Sequence, residues 1–190
     1  MKIFYIHGYN SSGNSDTAKN LRKYFPDLIS PTYDCLNPSK SLAELKNMLD
    51  EKELNSIVAS SLGGWYALRL AERVKNVELY LFNPATDPAT TLEKYGVKGA
   101  VLNEYKRIQL NSGDTFDTNV TLFLSIDDDV VPYGAAKKLF EYLSRKGAIN
   151  LKTIMTEGGH QMGKNTEMVA KTIEKNIEHG NREKGKGSES

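Results

Sequence analysis

Apolar positions recur along this chain in two alternating rhythms. Short β-branched or apolar runs at residues 3–6, 28–30, 56–60, 77–82, 120–126 and 149–154 read as six strands. Between them the spacing lengthens to three and four. Residues 16–25 place Ala18, Leu21 and Phe25 on one helical face behind Asp16 as N-cap. Ser41-Leu42-Ala43-Glu44 is a capping box that opens a helix carrying Leu42, Leu45 and Leu49. Further helices are expected from Gly63 to about Val74, over 134–146 with Leu139, Phe140 and Leu143, and over 166–177 with Val169, Ile173 and Ile177. Strand and helix in turn imply a mostly parallel sheet of about six strands with helices on both faces, a three-layer α/β architecture.

The rhythm breaks twice. Residues 83–118 hold Pro84, Pro88, Gly96 and Gly99 and are too long for a βα connection, so a minimal cap or excursion over the sheet is expected there. Residues 180–190 are mostly Gly, Lys, Glu and Ser and read as a disordered tail. One domain over 1–179 accounts for the rest.

The strand at 56–60 ends in Ala59-Ser60-Ser61-Leu62-Gly63-Gly64 and passes at once into a helix. That is the pattern of a nucleophile elbow, a turn so tight that the residues two before and two after the serine must be small. Ser61 meets the rule with Ala59 and Gly63; Ser60 fails it with Val58 and Leu62. Leu62 then offers a backbone N–H at a helix N-terminus, where an oxyanion is stabilised.

A serine hydroxyl needs a base, and the base an orienting acid. His160, in Glu157-Gly158-Gly159-His160 directly after the last strand, is the candidate base, while His179 lies near the tail. The acid is sought after the preceding strand, in Asp127-Asp128-Asp129-Val130-Val131-Pro132. The Asp-x-x-Val-Pro register selects Asp128, with Asp129 next and Asp127 third. After the first strand, His7-Gly8-Tyr9 supplies a close-approach glycine and the N–H of Tyr9 as the second oxyanion donor. Should the strand at 28–30 lie outside the first strand and the elbow strand on its other side, the first loop and the elbow meet at a switch point of strand order, where such sheets bind ligands.

Composition narrows the partners. The chain has 25 basic and 24 acidic residues in 190 and a net charge of +1, which favours neither nucleic acid nor an anionic membrane. Its one cysteine, Cys35, excludes an internal disulfide framework and a Cys-based metal site. No signal-peptide pattern or membrane-length apolar run is seen, so a cytoplasmic protein without metal or cofactor is expected.

These residues taken together resemble the α/β-hydrolases, and among them the small bacterial esterases of the YqiA type. The marks are Tyr5-Ile6-His7-Gly8-Tyr9-Asn10-Ser11-Ser12, Ser60-Ser61-Leu62-Gly63-Gly64-Trp65-Tyr66-Ala67, Phe82-Asn83-Pro84-Ala85 and Glu157-Gly158-Gly159-His160, spread over residues 1–178. The resemblance implies hydrolysis of short acyl esters, with Ser61 as nucleophile, His160 as base and Asp128 as its partner. Ala59 departs from the family's usual first glycine. A thioesterase, a small serine peptidase and a non-catalytic binding protein on the same scaffold stand as alternatives.

Overall fold

Five of the six expected strands pair into one parallel sheet. The computed structural model describes residues 2–52, 54, 56–74, 77–108 and 118–186. Among these, β1 (Phe4–Ile6), β2 (Ser56–Ser60), β3 (Glu78–Phe82), β4 (Thr118–Ser125) and β5 (Ile149–Thr156) lie side by side in chain order. The register runs Tyr5 to Val58, Val58 to Tyr80, Tyr80 to Thr121 and Thr121 to Lys152. The expected strand at 28–30 is reduced to one bridge, Phe4 to Ile29, on the side of β1 away from β2. Pro26 and Pro31 bracket it, and a residue without an N–H cannot extend the ladder. The two loops expected to meet, after β1 and after β2, are therefore neighbours at the carboxyl edge.

Alternation along the strands divides the core. Phe4, Ile6, Ile57, Ala59, Leu79, Leu81, Leu122 and Leu124 face one side. There they pack under α2 (Pro38–Lys52), α3 (Leu62–Ala71) and α6 (Tyr133–Arg145) through Leu45, Leu68 and Phe140. Ile3, Tyr5, Val58, Tyr80, Phe82 and Phe123 face the other, under α1 (Asp16–Arg22) and α7 (Thr166–Lys186) through Leu21, Val169 and Ile173. The stretch after β3 carries two short helices, α4 (Pro88–Glu93) and α5 (Ala100–Arg107), which bury Leu92, Leu102 and Tyr105 in the first core. Residues 109–117 of the expected excursion lie outside the described residues.

Three local expectations are corrected. Helix α2 begins at Pro38, not at a Ser41 cap: proline suits the first helical position, and the Ser41 hydroxyl donates to the Asp34 carbonyl at 2.7 Å. The cap of α1 is Ser15, whose Oγ accepts from the Ala18 N–H, and Asp16 is already helical. Helix α7 continues to Lys186, so residues 180–186, expected as disordered tail, are helical; 187–190 and the His179 side chain lie outside the described residues.

His7 closes the end of β1 and is wholly buried. Its ring stacks on Tyr33 with centroids 4.5 Å apart, and Nδ1 lies 2.8 Å from the Gly8 carbonyl. A carbonyl only accepts, so Nδ1 carries a proton. Among the described residues Nε2 has no hydrogen-bond partner, so the ring rests neutral. Burial pulls the His7 pKa below the ordinary 6.5, because the imidazolium has no acceptor for its second proton.

Two predictions follow from this packing. A neutral buried His7 binds fewer protons than the unfolded chain below about pH 6.5, so stability falls as pH drops through that value toward the lowered native pKa. Urea melts between pH 7.5 and 5 are expected to show this loss in the wild type and a smaller one in His7→Gln. The second concerns close packing. A Cβ on Gly63 would stand 2.1 Å from the Ile6 carbonyl oxygen, whereas one on Gly134 meets nothing within 4 Å. Gly63→Ala is expected to cost about 3 kcal/mol; Gly134→Ala is expected to be neutral or to stabilise by up to about 1 kcal/mol. Equal melting midpoints for the two would refute the packing argument.

Candidate active site

Parallel order collects the loops that follow the five strands along one edge of the sheet. Tyr9 follows β1, Ser61 follows β2, Asn83 follows β3, Asp128 follows β4 and His160 follows β5. Four of these were expected from sequence; Asn83 was not assigned a role.

Ser61 turns the chain from β2 into α3 with φ 52° and ψ −125°, a conformation rare for a residue with a side chain and costing roughly 1–3 kcal/mol. The neighbouring loop holds it there. The Ser61 N–H donates to the Phe82 carbonyl at 3.0 Å, and its carbonyl accepts from the N–H groups of Gly64 and Ala85 at 3.0 and 2.9 Å. Glycines make room: Gly63 passes under Ile6 and His7, and a Cβ on Gly64 would strike Pro84 at 2.4 Å. A Cβ on Gly8 would reach 3.0 Å from the Ser61 Cβ, so the first loop lies directly against the serine. Ala59, the departure from glycine, is fully buried in the first core and fits there.

The Ser61 Oγ lies 2.8 Å from His160 Nε2, and His160 Nδ1 lies 2.8 Å from Asp128 Oδ2. A carboxylate only accepts, so Nδ1 carries the proton and Nε2 accepts from the serine. The Asp128 side chain is wholly buried and the His160 side chain is 12% exposed. Burial of a carboxylate needs compensation, and the Asp128 Oδ1 accepts from the N–H groups of Val130 and Val131, each at 2.9 Å. Val131 is itself buried and Pro132 precedes α6, so the Val-Pro pair anchors this turn. Asp129 is exposed and outside the chain of bonds.

Asp127 does other work. Its carboxylate accepts from the Gly158 and Gly159 N–H groups at 2.9–3.0 Å, and those bonds hold its pKa below the usual carboxylate range. Asn83 grips the same loop from β3. Its Nδ2 donates to the carbonyls of Gly159 and His160 at 3.0 and 3.3 Å, and its Oδ1 accepts from the Ser125 N–H at 2.8 Å. Its backbone is left-handed, with φ 43°, which asparagine tolerates better than most residues. The readable signal was an Asn-Pro pair at a strand end, Asn83-Pro84; its long-range partners were not readable.

Ser61 and His160 open into a cleft of about 320 Å³, at the small end for small-molecule sites. Gly8, Tyr9 and Leu62 line it. The Leu62 N–H is the first of α3 and has no partner within the helix. From the cap come Leu92 and Tyr95, whose ring lies 5.7 Å from that of Tyr9. Tyr105 of the cap is buried away from the cleft, its hydroxyl 2.9 Å from that of Tyr66 and donating to the Cys35 carbonyl. Among the described residues no three His, Cys, Asp or Glu side chains gather as a metal site would need, and no helix is long and apolar enough to cross a membrane.

The arrangement can deprotonate a serine hydroxyl through an oriented imidazole and present it at the mouth of a small cleft. Comparison with known proteins bears on the scaffold. A sequence search finds no match among curated proteins. Mouse alpha/beta hydrolase domain-containing protein 10 superposes with a TM-score of 0.75 at 19% identity, over 94% of this chain and 90% of its own. Est1E from Butyrivibrio proteoclasticus gives 0.71 at 15% identity, over 93% and 88%. The Pyrococcus furiosus esterase Pf2001 gives 0.68 at 13% identity, over 94% and 81%. At such identities the likeness is one of fold. The fold is that of the α/β-hydrolases, and with residues 2–174 matched by the family's model, the chain belongs to the YqiA-like family described as Uncharacterised protein family (UPF0227).

Proposed function

We propose that this protein is a serine carboxylic-ester hydrolase acting on short acyl esters in the cytoplasm, with Ser61, His160 and Asp128 as its triad. One observation carries the reading: the unbroken chain from Ser61 Oγ to His160 Nε2 and, across the ring, from His160 Nδ1 to Asp128 Oδ2, both hydrogen bonds 2.8 Å long. The strained backbone at Ser61 favours it over a binding role, because strain of this kind serves presentation of a reacting atom.

In this mechanism Ser61 Oγ attacks the ester carbonyl carbon as His160 Nε2 takes its proton. The negative charge that develops on the carbonyl oxygen is met by the N–H groups of Tyr9 and Leu62. Asp128 holds the imidazole in its reactive tautomer and stabilises the imidazolium. Collapse of the tetrahedral intermediate breaks the bond to the alcohol, which leaves with the proton from His160. Water then attacks the acyl-Ser61 ester, giving its proton to His160, and the acid departs with Ser61 restored. No cofactor enters these steps. The small cleft favours a small-molecule ester, and a thioester would use the same groups.

A fluorophosphonate probe tests the reading directly: it is expected to label the wild type at Ser61 and to leave Ser61→Ala unmodified. Absence of labelling in the wild type would favour the binding scaffold. On p-nitrophenyl esters, Ser61→Ala is expected to lower kcat on the order of 10⁶-fold.

The acid assignment has its own test. Asp128→Asn is expected to lower kcat by roughly 10³–10⁴-fold through the wrong imidazole tautomer. Asp129→Asn, exposed and unlinked, is expected to stay within about twofold of wild type, given how little isolated surface substitutions disturb. Comparable losses in both variants would overturn the choice of Asp128.

A further inference from the structure

The cleft has two unlike ends. On the side of the cap it is bounded by Leu92, Tyr95 and Leu62. On the side of α1 it is bounded by Tyr5, Ser11, Thr17 and Ser60. Sheet geometry explains the division. Leu62 and Leu92 belong to the core on one face, Tyr5 to the core on the other, and the cleft straddles the edge between them.

An aliphatic pocket would place leucine or valine at the second end. This one places hydroxyls, with Met162 as the one apolar side chain shared with the Tyr5 core among the described lining residues. The Tyr5 ring is buried to 1% exposure, and its OH lies 3.0 Å from the Ser60 Oγ. Thr17 and Ser15 present further hydroxyls to the same phenol. The Ser15 Oγ already accepts from the Ala18 N–H as the cap of α1. Three bonds among these four hydroxyls use three of their four O–H groups and leave one O–H and several lone pairs for a ligand. Laying an alkyl chain over them would strip their water and return nothing. Among the described residues no lysine, arginine, aspartate or glutamate lines the cleft, so none of them offers a counter-charge to an ionised group.

We propose that this end of the cleft binds an uncharged hydroxyl group of the substrate, held by the Tyr5–Ser60 pair, so that hydroxylated esters are preferred to plain aliphatic ones. The inference rests on the hydrolase reading and adds to it the substrate class. Ser60, the serine that fails the elbow rule, thereby acquires a role as a specificity residue. The hydroxyl can sit on the acyl or the alcohol side of the ester, and matched substrates separate the two.

The test compares kcat/KM for p-nitrophenyl butyrate with p-nitrophenyl 3-hydroxybutyrate, and for ethyl butyrate with 2-hydroxyethyl butyrate. The wild type is expected to favour the hydroxylated member of one pair by about tenfold, the scale of one neutral hydrogen bond. The responding pair identifies the side. Tyr5→Phe, which keeps the ring and its packing, and Ser60→Ala are each expected to bring that ratio toward one. Equal turnover within both pairs, or a preference that survives both substitutions, overturns the pocket and leaves the hydrolase reading standing. Turnover of none of the four esters overturns the hydrolase reading, and the pocket with it.

Discussion

The reversal of the chain at Ser61 sets the terms for everything around it. A strand must give way to a helix within one residue, and that residue adopts a left-handed backbone. A side chain on Gly63 or Gly64 would collide, because the chain passes against the backbone of β1 on one side and Pro84 on the other. The strain of the turn is offset by bonds from the loop after β3, through Phe82 and Ala85. In return the hydroxyl stands clear of the sheet, at the head of α3.

The imidazole that must find this hydroxyl comes from the far end of the sheet. His160 follows the edge strand β5, and β3 and β4 lie between that strand and the elbow. A glycine-rich loop spans the distance, with Gly158 and Gly159 both at positive φ. Such a loop has little stiffness of its own. Asp127 holds its amides and Asn83 its carbonyls, so donors and acceptors are gripped from two different strand ends. Asp128, adjacent to Asp127, then orients the ring itself. Neighbouring carboxylates in one turn thus divide the task, one positioning the loop and the other the imidazole.

Polar groups elsewhere near the edge follow the same logic of partnership. Tyr33 donates to the His7 carbonyl and stacks on its ring, and Tyr105 ties the cap helix α5 to the Cys35 carbonyl. These hydroxyls fasten the loop after β1 and the cap to the body of the first core. Among the described residues His7 Nε2 and Ser30 Oγ are buried without a partner. The cost at His7 is bearable because the ring stays neutral.

Much of this was legible in the residues alone. Alternating periodicity predicted a parallel sheet between helices, the small-residue rule separated Ser61 from Ser60, strand-end position pointed to His160, and the Asp-x-x-Val-Pro register to Asp128. Each of these is local: steric limits at a turn, or the order of elements in a parallel sheet. The failures were local competitions settled by neighbours. Ser41 looked like a cap until Pro38 started the helix earlier, and the segment at 28–30 looked like a strand until its flanking prolines left it one bridge. What sequence could not reach were contacts between residues far apart in the chain. Asn83 meets residues 76 and 77 positions away, and the Tyr5 phenol meets Ser60 across 55. Neither leaves a periodic trace, since one side chain makes each contact and nothing repeats. Chain order and turn sterics determined which groups stand at the edge of the sheet; only the packed sheet decided which of them touch.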